Sequence, residues 1–388
     1  MSAQGRPTAI VLGGGGARAA YQVGALRAIA QMHGRGVALP FPIVCGTSAG
    51  AINAATIAMH ADDFRRGVAR LARWWRGIGA WHVYRSDFGS LSRHSAQFLA
   101  AVLTGAHAPE GVASVLDNTP LSDLLREQFD WTRIGDRVRE GTLRALAINA
   151  TSYSTGHSVS FFEGAPDVQG WRRMRRSGQR AQLSHDHLLA STAIPFLFPA
   201  GRIEGDWYMD GSVRQIAPLS AALNLGARRV LVVAVGQFNG QRASPVEYPS
   251  FAQAAGHALS TIFLDNLAAD VERTMQVNRV LELVPADAAA RLPVGHVDIL
   301  VLAPSRDLGA MALQYVDRLP GPVRALLRAF GSTAGTGANL TSYLMFDRGF
   351  CRALIALGYD DTMARRDDVV AFMRGARHAS PLLPQNFS

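Results

Sequence analysis

The chain has 388 residues, 48% of them hydrophobic, and a formal net charge of +9 carried by arginine alone, since lysine is absent. Such a length supports one large or two ordinary domains with a sizeable core, and the apolar content argues against disorder away from the termini. The missing lysine excludes Schiff-base catalysis and a lysine-bearing phosphate loop, and no apolar run reaches the ~18 residues of a membrane span.

Met1 to Pro7 lack the layout of a signal peptide, so the expectation is a cytoplasmic protein. Thr8–Leu12 reads as a buried strand. It runs into Gly13-Gly14-Gly15-Gly16-Ala17-Arg18 and then a helix from Ala19 to Gln31. Consecutive glycines between strand and helix expose backbone N–H groups where an anion is favoured. Gly14-x-Gly16-x-x-Ala19 also fits a dinucleotide fingerprint. That reading wants an acid about 20 residues on, for the ribose. The chain has no Asp or Glu before Asp62. An oxyanion hole needs only backbone donors in a positive field, to which Arg18 adds. A glycine turn kept for tight packing is the plain alternative.

Ile43–Cys45 is the next strand. Gly46-Thr47-Ser48-Ala49-Gly50 follows, and an apolar helix pattern runs from Ala51 to Met59. This is G-x-S-x-G at a strand–turn–helix junction, which presents a serine as a nucleophile. Gly46 and Gly50 supply the small neighbours that the bend requires, and the helix dipole favours developing negative charge. Cys45 is expected to be a small hydrophobe, and it forms no metal or redox motif with Cys351.

Asp62–Ile78 reads as a basic amphipathic helix. Phe64, Val68, Leu71, Trp75 and Ile78 share one stripe, with arginines largely elsewhere. Such a stripe either packs on the core or lies on a membrane. The stretch from Gly79 to Asn118 is rich in glycine and aromatics and is read as a cap over the site. Further strands are expected at Leu143–Asn149, Ser158–Phe162, Trp207–Met209 and Arg229–Val235. A helix over Leu219–Leu225 is closed by Gly226. Trp171-Arg172-Arg173-Met174-Arg175-Arg176 is the densest basic cluster, read as a solvated helix face or a lipid head-group contact. His185 and His187, two apart, do not share a helix face, so no metal site is expected there. Asp210-Gly211-Ser212 follows an apolar strand. A turn aspartate is ordinarily a turn former, yet a carboxylate touching a serine can also activate it.

Gly14-Gly15-Gly16-Ala17-Arg18, Gly46-Thr47-Ser48-Ala49-Gly50 and Asp210-Gly211, in this order, resemble the patatin-like phospholipases. Ala190-Ser191-Thr192-Ala193-Ile194-Pro195, followed by Phe196-Leu197-Phe198-Pro199, resembles the segment that precedes that family's catalytic aspartate. The resemblance covers about residues 8–235. It implies a Ser48–Asp210 dyad, oxyanion donors at Gly14, Gly15 and Gly16, supporting roles for Arg18, Gly46, Gly50 and Gly211, and no metal or cofactor. Ala19 and Ser212 depart from the family pattern, which commonly has glycine, and glycine or alanine, at these places. The implied substrate is a lipid ester, with phospholipid or lysophospholipid leading.

The alternation of strands and helices to about Gly236 predicts an α/β fold: a mainly parallel central sheet flanked by helices in a three-layer arrangement. Residues 8–235 are expected to form the catalytic domain, and 236–388 a mainly helical region packed on it. That region shows a helical pattern over Ser250–Val280, a strand at His296–Leu302, and helices at Val323–Phe330, Leu340–Leu357 and Asp367–His378. The charge and Trp74, Trp75 and Trp81 lead to an expected peripheral contact with anionic membranes rather than nucleic acid, for which no motif is visible. The sequence sets no oligomeric state. A Ser–His–Asp hydrolase, with His257, His296 or His378 as the base, or a storage-polyester depolymerase is the enzymatic competitor. A lipid-binding protein without turnover is the competitor of another class.

Overall fold

A computed structural model describes residues 7–85, 89, 114–215, 217–236, 266–289, 291–292, 294–329, 338–376 and 383–384. The first half runs β1 (Thr8–Leu12), α1 (Ala20–His33), β2 (Ile43–Thr47), α2 (Ala49–Met59), α3 (Phe64–Gly77), α4 (Thr119–Gln128), α5 (Thr132–Arg139), β3 (Ala145–Ser152), β4 (Ser158–Gly164), β5 (Trp171–Arg173) and β6 (Arg176–Arg180). It continues with α6 (His185–Thr192), β7 (Gly201–Ile203), β8 (Asp206–Asp210), α7 (Ser220–Asn224), β9 (Arg229–Val233), α8 (Asn266–Leu283), α9 (Ala286–Ala289) and β10 (Asp298–Leu302). The chain then forms α10 (Leu308–Leu313), α11 (Gly321–Ala329), α12 (Ala338–Leu344), α13 (Arg348–Ala364) and α14 (Arg366–Met373).

The sheet is mixed and mostly parallel, in the order β10-β9-β1-β2-β3-β4-β6-β5. From β10 to β3 every pairing is parallel. These strands are near-continuous apolar runs, as strands covered on both faces must be. Their alternation sorts residues into two layers. Ile10, Leu12, Val44, Leu146, Leu231 and Leu300 face one core with α1, α2, α3 and α13. Ala9, Val11, Cys45, Ala147, Val230 and Ile299 face the other, with α7 and Val271 of α8. Helices thus cover both faces. The long helix expected across 250–280 begins, among the described residues, at Asn266.

α1 and α13 are in backbone contact. A Cβ on Gly24 would collide with the Ile355 carbonyl oxygen, and one on Gly358 with the Tyr21 carbonyl oxygen. This approach binds the chain after β10 to the first helix, in one apolar cluster extending from Ile10 to Phe372.

Of the two readings of the α3 stripe, core packing holds: Phe64, Val68, Leu71, Trp75 and Ile78 are all buried. Other expectations change. Trp75 is fully inside, its indole N–H donating to Asn53 Oδ1 at 2.8 Å, so it is no interfacial tryptophan. The Trp171–Arg176 cluster is a β-hairpin rather than a helix face: β5 pairs antiparallel with β6 around Arg175, whose φ is 59°. Alternation along the pair turns Trp171 onto Phe162, where the rings stack at 5.4 Å. The helix expected over Leu340–Leu357 is two helices. Asp347 stops the first and caps the second, accepting from the Gly349 and Phe350 amides. Of the expected cap, residues 86–88 and 90–113 lie outside the described residues.

Candidate active site

Ser48 sits where β2 ends and α2 begins, with φ 55° and ψ −133°. Side chains other than glycine rarely occupy this region, and such strain persists only where the surroundings hold it. The holding groups are visible. The Ser48 amide donates to Ser191 Oγ at 2.9 Å, and Ser191 Oγ donates to the Asn149 carbonyl at 2.6 Å. Thr47 Oγ1 accepts from Asn149 Nδ2 at 2.9 Å and from Gln215 Nε2 at 2.8 Å. The Ser48 carbonyl receives the Ala51 amide at 2.8 Å. Gly46 and Gly50 are where the bend needs them. A Cβ on Gly46 would lie 2.5 Å from Ala51 Cα, and one on Gly50 would strike the Leu12 and Gly13 carbonyl oxygens.

The topology brings Asp210 to this serine. Residues 145–151 of β3 pair with β4 along one edge, so β2 and β8 share the other. β2 finishes with Thr47 opposite Asn149, and β8 finishes with Asp210 opposite Ala150. Two strands running in opposite directions thereby deliver their last residues to successive positions of one edge. Gly211 permits the meeting, since a Cβ there would collide with the Asn149 carbonyl.

Asp210 is fully buried. Its Oδ1 accepts the Ser212 amide at 2.8 Å, and its own amide donates to the Ala193 carbonyl at 2.8 Å. Oδ2 is buried without a hydrogen-bond partner among the described residues. The Ser48 and Ser212 hydroxyls come near enough to favour the charged carboxylate, but neither closes a full bond to Oδ2. Burial outweighs them and pushes the pKa up from 3.8 to about 6. That makes Asp210 a stronger base than an ordinary carboxylate.

The glycine loop lies against Ser48 and Ser212. A Cβ on Gly14 would collide with Ser212 Oγ and lie 3.0 Å from Ser48 Cβ. Gly16, at φ 53°, passes under the Tyr343 carbonyl. Among the described residues the Gly14, Gly15 and Gly16 amides donate to no protein acceptor. The loop is anchored from below. Gln22 Nε2 donates to the Gly13 carbonyl at 2.8 Å, and Asn53 Nδ2 donates to Gln22 Oε1 at 2.9 Å. Arg18 is buried at the loop's end, with Nε donating to Ser342 Oγ at 2.6 Å and the guanidinium 4.4 Å from the Tyr343 ring centre. Burial lowers the Arg18 pKa, while Tyr343 and Asp307 favour its charge.

A narrow apolar pocket opens beside Ser48, with about 30 Å³ of free interior. Ile52, Trp74, Trp75, Ile78, Leu121 and Phe346 are among its walls. The lining is almost wholly apolar, which favours hydrocarbon over a polar group beside Ser48.

The structure therefore gathers Gly14, Gly15, Gly16, Arg18, Gly46, Ser48, Gly50, Asp210 and Gly211 at one end of the sheet. His296 is elsewhere. It precedes Asp298, which is in register with Arg229 and Thr8 at the opposite ends of the parallel strands. His257 and His378 lie outside the described residues. Among the described residues no cluster of His, Cys, Asp and Glu is arranged to hold a metal, and no helix is long and apolar enough to cross a membrane. Sequence reasoning assigned no part to Gln22, Asn53, Asn149 or Tyr343. A buried Asn or Gln inside an apolar helix or strand pattern was the available signal for the first three.

The sequence profile of the patatin-like phospholipases matches residues 10–223, which include both Ser48 and Asp210. The chain belongs to the patatin-like phospholipase family. Over 211 residues this patatin-like chain is 28% identical to the cGAMP-activated phospholipase of Pseudomonas aeruginosa, covering 54% of this chain and 53% of that one. Over 237 residues it is 30% identical to patatin-like phospholipase domain-containing protein ZK370.4 of Caenorhabditis elegans, covering 60% of this chain and 14% of that one. It thus spans about half the length of the first relative and a small part of the second. Among solved structures, human GIVD cytosolic phospholipase A2 bound to methyl gamma-linolenyl fluorophosphonate aligns with a TM-score of 0.44 at 13% identity, over 96% of this chain and 59% of that one.

Proposed function

We propose that this patatin-like chain is a lipid acyl hydrolase in which Ser48 is the nucleophile and Asp210 its general base. The observation that carries the reading is the meeting of Ser48 and Asp210 on one edge of β3, beside an apolar pocket. Family membership supports lipid hydrolysis.

In this scheme the acyl chain of the substrate lies along the apolar lining beside Ser48 and its ester carbonyl rests at Ser48. Ser48 Oγ attacks the carbonyl carbon while its proton passes to Asp210 Oδ2, the oxygen left without a partner. The tetrahedral oxyanion is held by the unengaged glycine-loop amides, each contributing roughly 3 kcal/mol in comparable sites. Arg18 and the N-terminus of α2 add positive potential. Collapse breaks the ester C–O bond, and Asp210 returns the proton to the departing alcohol. Water then attacks the acyl-enzyme, Asp210 takes its proton, and the fatty acid leaves as Ser48 is restored. No step draws on a metal or cofactor. Phospholipid or lysophospholipid is the leading substrate, and peripheral contact with a lipid surface belongs to the same reading.

Purified Ser48→Ala protein assayed on a panel of lipid esters tests the proposal. Hydrolysis should fall by about four orders of magnitude or more. A folded variant that keeps the wild-type rate would remove Ser48 from the chemistry.

A further inference from the structure

We infer that the turn joining β5 and β6 docks this protein on an anionic lipid bilayer with the Ser48 edge of the sheet facing the membrane. The inference rests on the lipid-ester reading above. Its first support is register. Thr47 pairs with Asn149 and Asp210 with Ala150. The adjacent row runs across the sheet through Thr151, Ser158, Arg176 and Arg173. The hairpin tip, Met174-Arg175, therefore projects past the same sheet edge that carries Ser48 and Asp210. With strands spaced by 4.7–4.9 Å, β5 lies about 14 Å to the side of β3.

The second support is what the tip presents. Arg172, Arg173 and Arg175 are exposed and form no ion pair with a carboxylate among the described residues. Met174, at the apex, is 89% exposed, more than any other large apolar side chain described. Tyr153, just beyond the end of β3 at this edge, is 49% exposed. Beside the tip, Asp206 is occupied by the Ser152 and Ser154 hydroxyls and the Trp207 amide. A flexible apolar apex between unpaired arginines matches a surface whose outer layer is anionic and whose next layer is hydrocarbon. An ordinary acidic protein partner would use the arginines but leave Met174 in water.

β5 is also an edge strand, and charge on an edge strand prevents pairing with another sheet. Glutamate would guard the edge equally well, so charge reversal separates the two roles. The test is co-sedimentation of the full chain with vesicles of phosphatidylcholine, alone or mixed with phosphatidylglycerol, at low and high salt. The wild type should bind the mixed vesicles and release at high salt. Arg172→Glu, Arg173→Glu and Arg175→Glu combined should weaken partitioning by about 100-fold or more. Met174→Asp alone should weaken it by a smaller factor. Both variants should still be labelled at Ser48 by a soluble fluorophosphonate, which shows that fold and site are intact. Unchanged binding by the triple variant, equal binding to both vesicle types, or no binding by the wild type would overturn the inference. If no form of the protein is labelled at Ser48, the hydrolase reading fails while the docking result stands by itself.

Discussion

The Ser48 amide donates to Ser191 Oγ, and the Ser191 hydroxyl donates onward to the Asn149 carbonyl. One side chain thus joins the Ser48 turn to the strand beside it. The block Ala190–Pro199 has its place here: α6 carries Ser191 beneath Ser48, and Ala193, just past its end, holds the Asp210 amide. Ser191→Ala leaves a buried N–H without an acceptor, a loss of about 1–3 kcal/mol. Strain at Ser48 then has less to oppose it. Ester hydrolysis by this variant should show kcat reduced at least about 10-fold with KM nearly unchanged. A rise in KM alone would mean that Ser191 shapes the substrate site instead.

Activity should depend on pH through Asp210, whose pKa is raised to about 6 by burial. The base works only when ionised. The kcat/KM profile should therefore climb through an acid limb near pH 6 and level above it. A rate that stays flat down to pH 4 would exclude Asp210 as the titrating base.

The same burial acts on stability with a definite sign. The folded-state pKa of about 6 exceeds the ordinary 3.8, so the folded protein holds this proton more tightly than the unfolded chain. Below pH 3.8 both states are protonated and no penalty exists. The penalty grows from pH 3.8 to 6 and is complete above, at about 3 kcal/mol. Asp210→Asn keeps the acceptor for the Ser212 amide and removes the buried charge. Denaturant melts should find it more stable than wild type at pH 8, with the difference vanishing near pH 4, while hydrolysis is lost.

Gly14 is constrained by Ser212. A Cβ on Gly14 would collide with Ser212 Oγ, so Gly14→Ala should cost at least about 100-fold in kcat by displacing the amide proposed as an oxyanion donor. Removing the obstructing hydroxyl in the double variant Gly14→Ala, Ser212→Gly should recover part of the rate. Equal losses in the single and double variants would show that Ser212 does not set this geometry.

Much of the arrangement was legible in the sequence because it depends on local pattern. β1 was read from Thr8 to Leu12 as it stands, since apolar strand, glycine loop and helix follow without interruption. The Ser48 turn was readable because Gly46 and Gly50 are needed by contacts within a few residues or with the neighbouring strand end. What was hidden depends on distant partners. Nothing local to Trp75 tells that Asn53 awaits its N–H, and nothing near Tyr343 tells that Arg18 stacks on it. The hairpin at Trp171–Arg180 was missed because arginines occupy both faces of so short a segment, which leaves only Trp171 to mark its inner side. The break at Met345–Asp347 was overridden by the apolar periodicity around it, although Asp347 before Arg348-Gly349 was a capping signal.

Whether Ser48 is an activated nucleophile is decided by active-site labelling. The wild-type protein is exposed to a long-chain alkyl fluorophosphonate, and the modified peptide is mapped by mass spectrometry beside Ser48→Ala and Asp210→Asn. A single adduct is expected on Ser48, absent from Ser48→Ala and formed much more slowly by Asp210→Asn. An adduct on another residue, or a wild-type protein that hydrolyses lipid esters while Ser48 stays unmodified, would remove Ser48 as the nucleophile.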